Sequence, residues 1–143
     1  MARSVRGYEF VEHTADLGVR AWAPSLAEAF AEAARGMVDY ILDDAGTVTL
    51  HDFRVVEIKA GSAERALVEF LDELNFLILT EGFIFREVRV KRFDPEAGVV
   101  EAEAWGEFLD EERHGHVHEI KAITFHDLVV TRDPPEVYVI FDI

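Results

Sequence analysis

Residues 83–108, FIFREVRVKRFDPEAGVVEAEAWGEF, decide how this chain folds. At their centre lies Asp94-Pro95-Glu96-Ala97-Gly98. Proline presets one backbone angle, aspartate can bond its own backbone, and glycine admits the left-handed conformation, so the five residues spell a turn. The runs on either side, 83–93 and 99–108, have period two. Val100, Ala102, Ala104 and Phe108 share one face, and Glu101, Glu103, Trp105 and Glu107 share the other. That alternation predicts an antiparallel hairpin with one face on a core and the other toward water. Trp105 is then an aromatic among acids, either exposed or covered by a loop.

The flanking chain supplies what covers the core face. Upstream, Ser25 and Glu28 form a capping-box pair, each side chain serving an amide at the start of a helix. Leu26, Phe30, Ala33, Met37 and Ile41 make its apolar stripe. The helix is expected to stop at Asp43-Asp44-Ala45-Gly46, with Gly46 turning left-handed. Residues 47–60 read as a strand. Ser62 caps a second helix with the stripe Leu67, Phe70, Leu71, Leu74, Leu77 and Ile78, ended by Gly82. Asn75 lies beside that stripe, a place for a hydrogen bond to a neighbouring loop. Residues 109–116 read as a polar loop, 119–131 as a strand and 137–141 as the last strand. Residues 8–11 and 17–23 are strands before the first helix. The order is ββαβαββββ. It predicts one α+β domain over 1–143, two-layered, with two helices packed on one face of a largely antiparallel mixed sheet.

A length of 143 residues with 50% hydrophobic content supports a sizeable core. No run is apolar enough to span a membrane. The chain has no cysteine, which excludes disulfides and thiolate metal sites and fits a reducing, cytoplasmic setting. The net charge of -15 repels phosphate backbones, so no direct nucleic-acid binding is expected. An acidic surface is either simply solvated or docks a basic protein.

Glu12-His13-Thr14-Ala15-Asp16 joins the first two strands. A turn needs Thr14-Ala15-Asp16; it does not need Glu12 and His13. At the other end Asp142 follows the apolar run 137–141, where an unpaired buried carboxylate would be costly. If the first and last strands lie side by side, Asp16 and Asp142 face each other. Two close carboxylates call for a cation or a shared proton. His114, His116 and His118 alternate, and an extended chain would point all three one way, as in a zinc site or an ordinary polar loop. In residues 121–127, Thr124 and His126 share a face with Ala122, opposite Lys121, Ile123, Phe125 and Asp127. Thr124 and His126 would then need polar partners within a core.

His13-Thr14-Ala15-Asp16, Phe70-Leu71-Asp72-Glu73-Leu74, Gly106-Glu107, residues 119–126 and Phe141-Asp142-Ile143 together resemble the archease family, in order and over nearly the full length. Phe125 stands where that family often carries tyrosine or tryptophan. The resemblance implies an accessory protein, not an enzyme: an activator of the GTP-dependent tRNA-splicing RNA ligase that promotes its guanylylation and turnover. It also implies an older role as a chaperone-like modulator of a tRNA methyltransferase. It implies a metal site at Asp16, Asp142 and Ile143. Ile143 can offer only a backbone or terminal oxygen, which suits calcium among divalent ions. Glu12, His13, Lys121, Thr124 and His126 are expected to support that site.

Three functions remain in play. An activator needs an acidic tip that enters a basic partner site. A metal-dependent phosphoester hydrolase using Asp16, Asp142 and His13 needs a general base, and none is evident. A chaperone-like module needs an exposed apolar patch.

Overall fold

The computed structural model describes residues 3–13 and 15–143, with His13 described by its backbone only. The elements are β1 Gly7–His13, β2 Asp16–Trp22, α1 Leu26–Ile41, a 3-10 turn at Ala45–Thr47, β3 Asp52–Lys59, α2 Ala63–Leu79, β4 Phe83–Asp94, β5 Val99–Phe108, the single-turn helix α3 Glu111–His114, β6 Ala122–Arg132 and β7 Pro135–Asp142. The α+β class and the order ββαβαββββ are as expected, with the 3-10 turn and α3 added. The strands form two antiparallel sheets, β1-β2-β7-β6 and β3-β5-β4, where one sheet was expected.

Each helix begins where its cap predicts. Ser25 Oγ accepts from the Glu28 amide at 3.2 Å, and Ser62 Oγ accepts from the Arg65 amide at 3.3 Å. The stripe residues of both helices are buried and join one core that includes inward residues of both sheets. Phe30 on α1 meets Phe70 of α2 and Phe93 of β4. The end of α1 differs from expectation. Leu42 caps it in an extended conformation and bridges to Val117, and Gly46 lies in the 3-10 turn without a positive φ. The bridge to a distant loop replaces a glycine stop. Gly82 does close α2, at φ +69, giving its amide to Ile78. Asn75 is buried and its Nδ2 donates to the Ile120 carbonyl at 3.0 Å, the loop contact its position implied. The third strand is shorter than the expected 47–60: it spans Asp52–Lys59, and Thr47 belongs to the 3-10 turn.

Candidate functional site

The β1–β2 hairpin places Asp16 at the first position of β2. Ala15, at φ +62, turns the chain into it, and Thr14 lies outside the described residues. Strand β7 pairs with β2 so that Asp16 is opposite Asp142, Leu17 opposite Phe141 and Val19 opposite Val139. Phe141 and Val139 are fully buried. Successive side chains alternate, so Asp16 and Asp142 leave the sheet on the side away from the core. Opposite residues in such a pair have Cα atoms about 4.5–5.5 Å apart, close enough for one ion to meet both carboxylates. Asp142 is exposed and Asp16 half-buried. The facing acids were expected; the topology behind them differs. The last strand's neighbour is β2, and β1 lies one strand further out.

The row extends across the whole sheet. His13 of β1 is opposite Asp16, and Ala122 of β6 is opposite Asp142. Ile143 follows directly, half-buried against the core. The Lys121 amide donates to the Asp142 carbonyl at 2.8 Å, which fixes the end of β7. Glu12 is opposite Leu17, so its side chain leaves on the other face from Asp16 and Asp142. Two carboxylates and a backbone oxygen are hard donors that suit a hydrated divalent ion. Among the described residues no three or more His, Cys, Asp or Glu side chains gather into a fuller set.

Beyond Ala122 the β6–β7 register breaks between Thr124 and Val129. Ile123 faces the core, opposite buried Phe141, so Thr124 faces outward. Its hydroxyl donates to the Ile140 carbonyl at 2.9 Å and accepts the His126 amide at 3.3 Å. Asp127, at φ +52, completes the irregular segment. Phe125, His126 and Asp127 are all exposed. The expectation of Thr124 and His126 on a core face therefore fails: the alternation turns Ile123, not Thr124, to the core, and beyond the register break after Thr124 His126 is exposed.

The alternating histidines do not share a face either. His114 is buried in α3, whereas His116 and His118 are exposed. The Asp110 amide donates to His114 Nδ1 at 2.9 Å, so the ring proton sits on Nε2, 3.0 Å from Glu107 Oε2. His118 Nε2 instead meets Asp43 Oδ1 at 2.7 Å and ties this loop to the end of α1. Glu107 also accepts from the Thr49 amide at 2.7 Å and pairs with Arg113. Burial alone would raise its pKa, but Arg113, Thr49 and His114 outweigh that and hold it at about 2. Alongside it, a Cβ on Gly106 would come within 1.8 Å of the Ile84 carbonyl oxygen. The pair Gly106-Glu107 thus has a structural reason. The sequence signal was present as two adjacent residues; of the partners of Glu107, Arg113 and His114 lie in the loop just after it and only Thr49 is remote in the chain.

The Archease protein family matches residues 8–143. The chain belongs to that family. An archease of Thermococcus gammatolerans is 40% identical over 131 residues, covering 91% of this chain and 92% of that protein. An archease of Danio rerio is 36% identical over 138 residues, covering 95% of this chain and 85% of that one. The fold agrees with a solution structure of a Methanobacterium thermoautotrophicum protein, TM-score 0.80 and 33% identity over 96% of this chain and 99% of that one. A crystal structure described as an archease and possible chaperone, from Thermotoga maritima, superposes with TM-score 0.60 at 21% identity, covering 93% and 94% of the two chains. At that identity it speaks for the archease fold alone. No helix among the described residues is long and apolar enough to cross a membrane.

Proposed function

We propose that this archease is an accessory protein of the GTP-dependent tRNA-splicing RNA ligase, promoting ligase guanylylation and turnover through a divalent-metal site at its acidic tip. The observation that carries the reading is the register of Asp16 against Asp142 on neighbouring strands. Asp16, Asp142 and the Ile143 backbone would hold the ion, calcium by the hardness of the donors, and its charge would offset the repulsion of the two acids. The residues themselves do the shaping. The hairpin and the Lys121–Asp142 hydrogen bond fix the tip, and a chain of net charge -15 is drawn to a basic, phosphate-binding partner site. Single-turnover guanylylation of the ligase tests this directly. Asp16→Ala should lose most of the activation while circular dichroism shows the fold intact; full activation by that variant refutes the metal-tip reading.

A chaperone-like role toward a tRNA methyltransferase is favoured by a different observation. Phe53, Val55 and Trp105 lie on the outward face of the β3-β5-β4 sheet, with Val55 58% exposed. Phe53 and Trp105 rings lie 4.8 Å apart. Replacing Val55 by Ser should leave ligase activation unchanged and weaken methyltransferase binding in a pull-down, if that face docks it.

A further inference from the structure

In a chain with 14 basic residues against 29 acidic ones, three arginines from three separate segments line one groove. Arg6 precedes β1, Arg35 is on α1 and Arg86 is on β4. The groove is a half-open cavity of about 580 Å³ between α1 and β4. At its wall lies Glu32, only 2% exposed. Glu32 takes Arg35 Nη1 on both oxygens, at 2.7 and 3.0 Å, and has Arg6 Nε at 4.0 Å. Arg86 gives its Nε to the Val48 carbonyl at 3.0 Å. Arg35 and Arg86 are thus each held by hydrogen bonds through one nitrogen and keep other N–H groups for a ligand, while Arg6 is placed by ion pairs to Glu32 and, at 3.7 Å, to Glu28.

The groove's acids are largely occupied. Glu87, which also lines the cavity, pairs with Arg89 at 2.9 Å. Asp39 accepts from the Tyr8 hydroxyl, and burial raises its pKa. Glu32 is the fixed counter-ion that orients two of the arginines.

We propose that this groove binds a phosphate group. Guanidinium groups from three separate segments offer N–H donors to acceptor oxygens in several directions, which a tetrahedral phosphate has and a planar carboxylate does not. The volume exceeds that of phosphate alone and leaves room for the group it esterifies. The site is separate from the Asp16–Asp142 tip and does not rest on the ligase reading.

Calorimetric titration of the full chain with inorganic phosphate, ribose 5-phosphate and acetate, at matched ionic strength, tests it. Phosphate should bind saturably, the ester at least as tightly, and acetate at least tenfold more weakly. A bound ester and a weak free ion would identify the physiological source as a phosphorylated metabolite; the reverse would identify free phosphate. Arg86→Gln, whose side chain lies at an exposed strand edge, should weaken phosphate binding about tenfold with little change in Tm. Amide shifts on phosphate addition should centre on Glu32, Arg35, Gly46 and Arg86. Absence of saturable phosphate binding overturns the proposal, as do equal affinity for acetate, shifts centred elsewhere, or an Arg86→Gln variant that binds like the parent.

Discussion

Gly106 and Glu107 are neighbours with unlike tasks. Gly106 lets β4 pass where any side chain would meet the Ile84 carbonyl. Backbone must move to admit even a methyl group, so Gly106→Ala should cost about 3 kcal/mol or more, read as a lower urea midpoint. Glu107 holds the amide of Thr49, the ring of His114 and Arg113 at once. Its pKa is lowered from 4.5 to about 2 in the folded chain. A depressed folded pKa adds stability that is complete above the unfolded value and lost as pH falls through the folded one. The stability difference between the parent and Glu107→Gln should therefore be constant above about pH 4.5 and shrink toward pH 2. Melts across that range measure it, and a difference that does not narrow on acidification contradicts the assignment.

Elements set the site by ending or breaking at chosen places. Ser25 and Ser62 begin the helices, and Ser25→Ala should cost about 1 kcal/mol in a denaturant titration. The more consequential break is in β6. Thr124 pins the bulge by bonding Ile140 and His126, and so presents Phe125 and His126 next to the row that ends at Ala122 and Asp142. Thr124→Val keeps the shape and removes both bonds. The expected result is a loss of about 1 kcal/mol and faster amide exchange over residues 125–128, with the helices unchanged.

At the scale of the whole molecule, charge dominates. A net charge of -15 means that the compact state works against its own repulsion. Added monovalent salt should raise Tm by screening that repulsion, and should weaken binding to a basic partner. The tip concentrates the same effect. Calcium should raise the Tm of the parent and leave that of Asp16→Ala nearly unmoved. Without metal the variant should be as stable as the parent or slightly more so, since one of two facing acids is gone. Calorimetry with calcium and with chelator separates these outcomes; an equal calcium shift in both proteins would place the ion elsewhere.

The sequence by itself determined the features that depend on near neighbours: the period-two hairpin around Asp94–Gly98, the caps at Ser25 and Ser62, the helix stripes, the element order and the motifs of the archease family. Backbone preference and side-chain periodicity act over a few residues, so a linear reading captures them. Tertiary structure alone decided the rest. It divided the strands into two sheets and set β2, not β1, against β7. Register then sent Asp16 and Asp142 to one face and Glu12 to the other, because a shift of one residue reverses every side chain. It buried His114 against Glu107 and left His116 and His118 outside, and it drew Arg6, Arg35 and Arg86 to one groove. Apart from the local His114–Glu107 contact, these rest on contacts between residues far apart in the chain, whose pairing is settled only when the whole core packs.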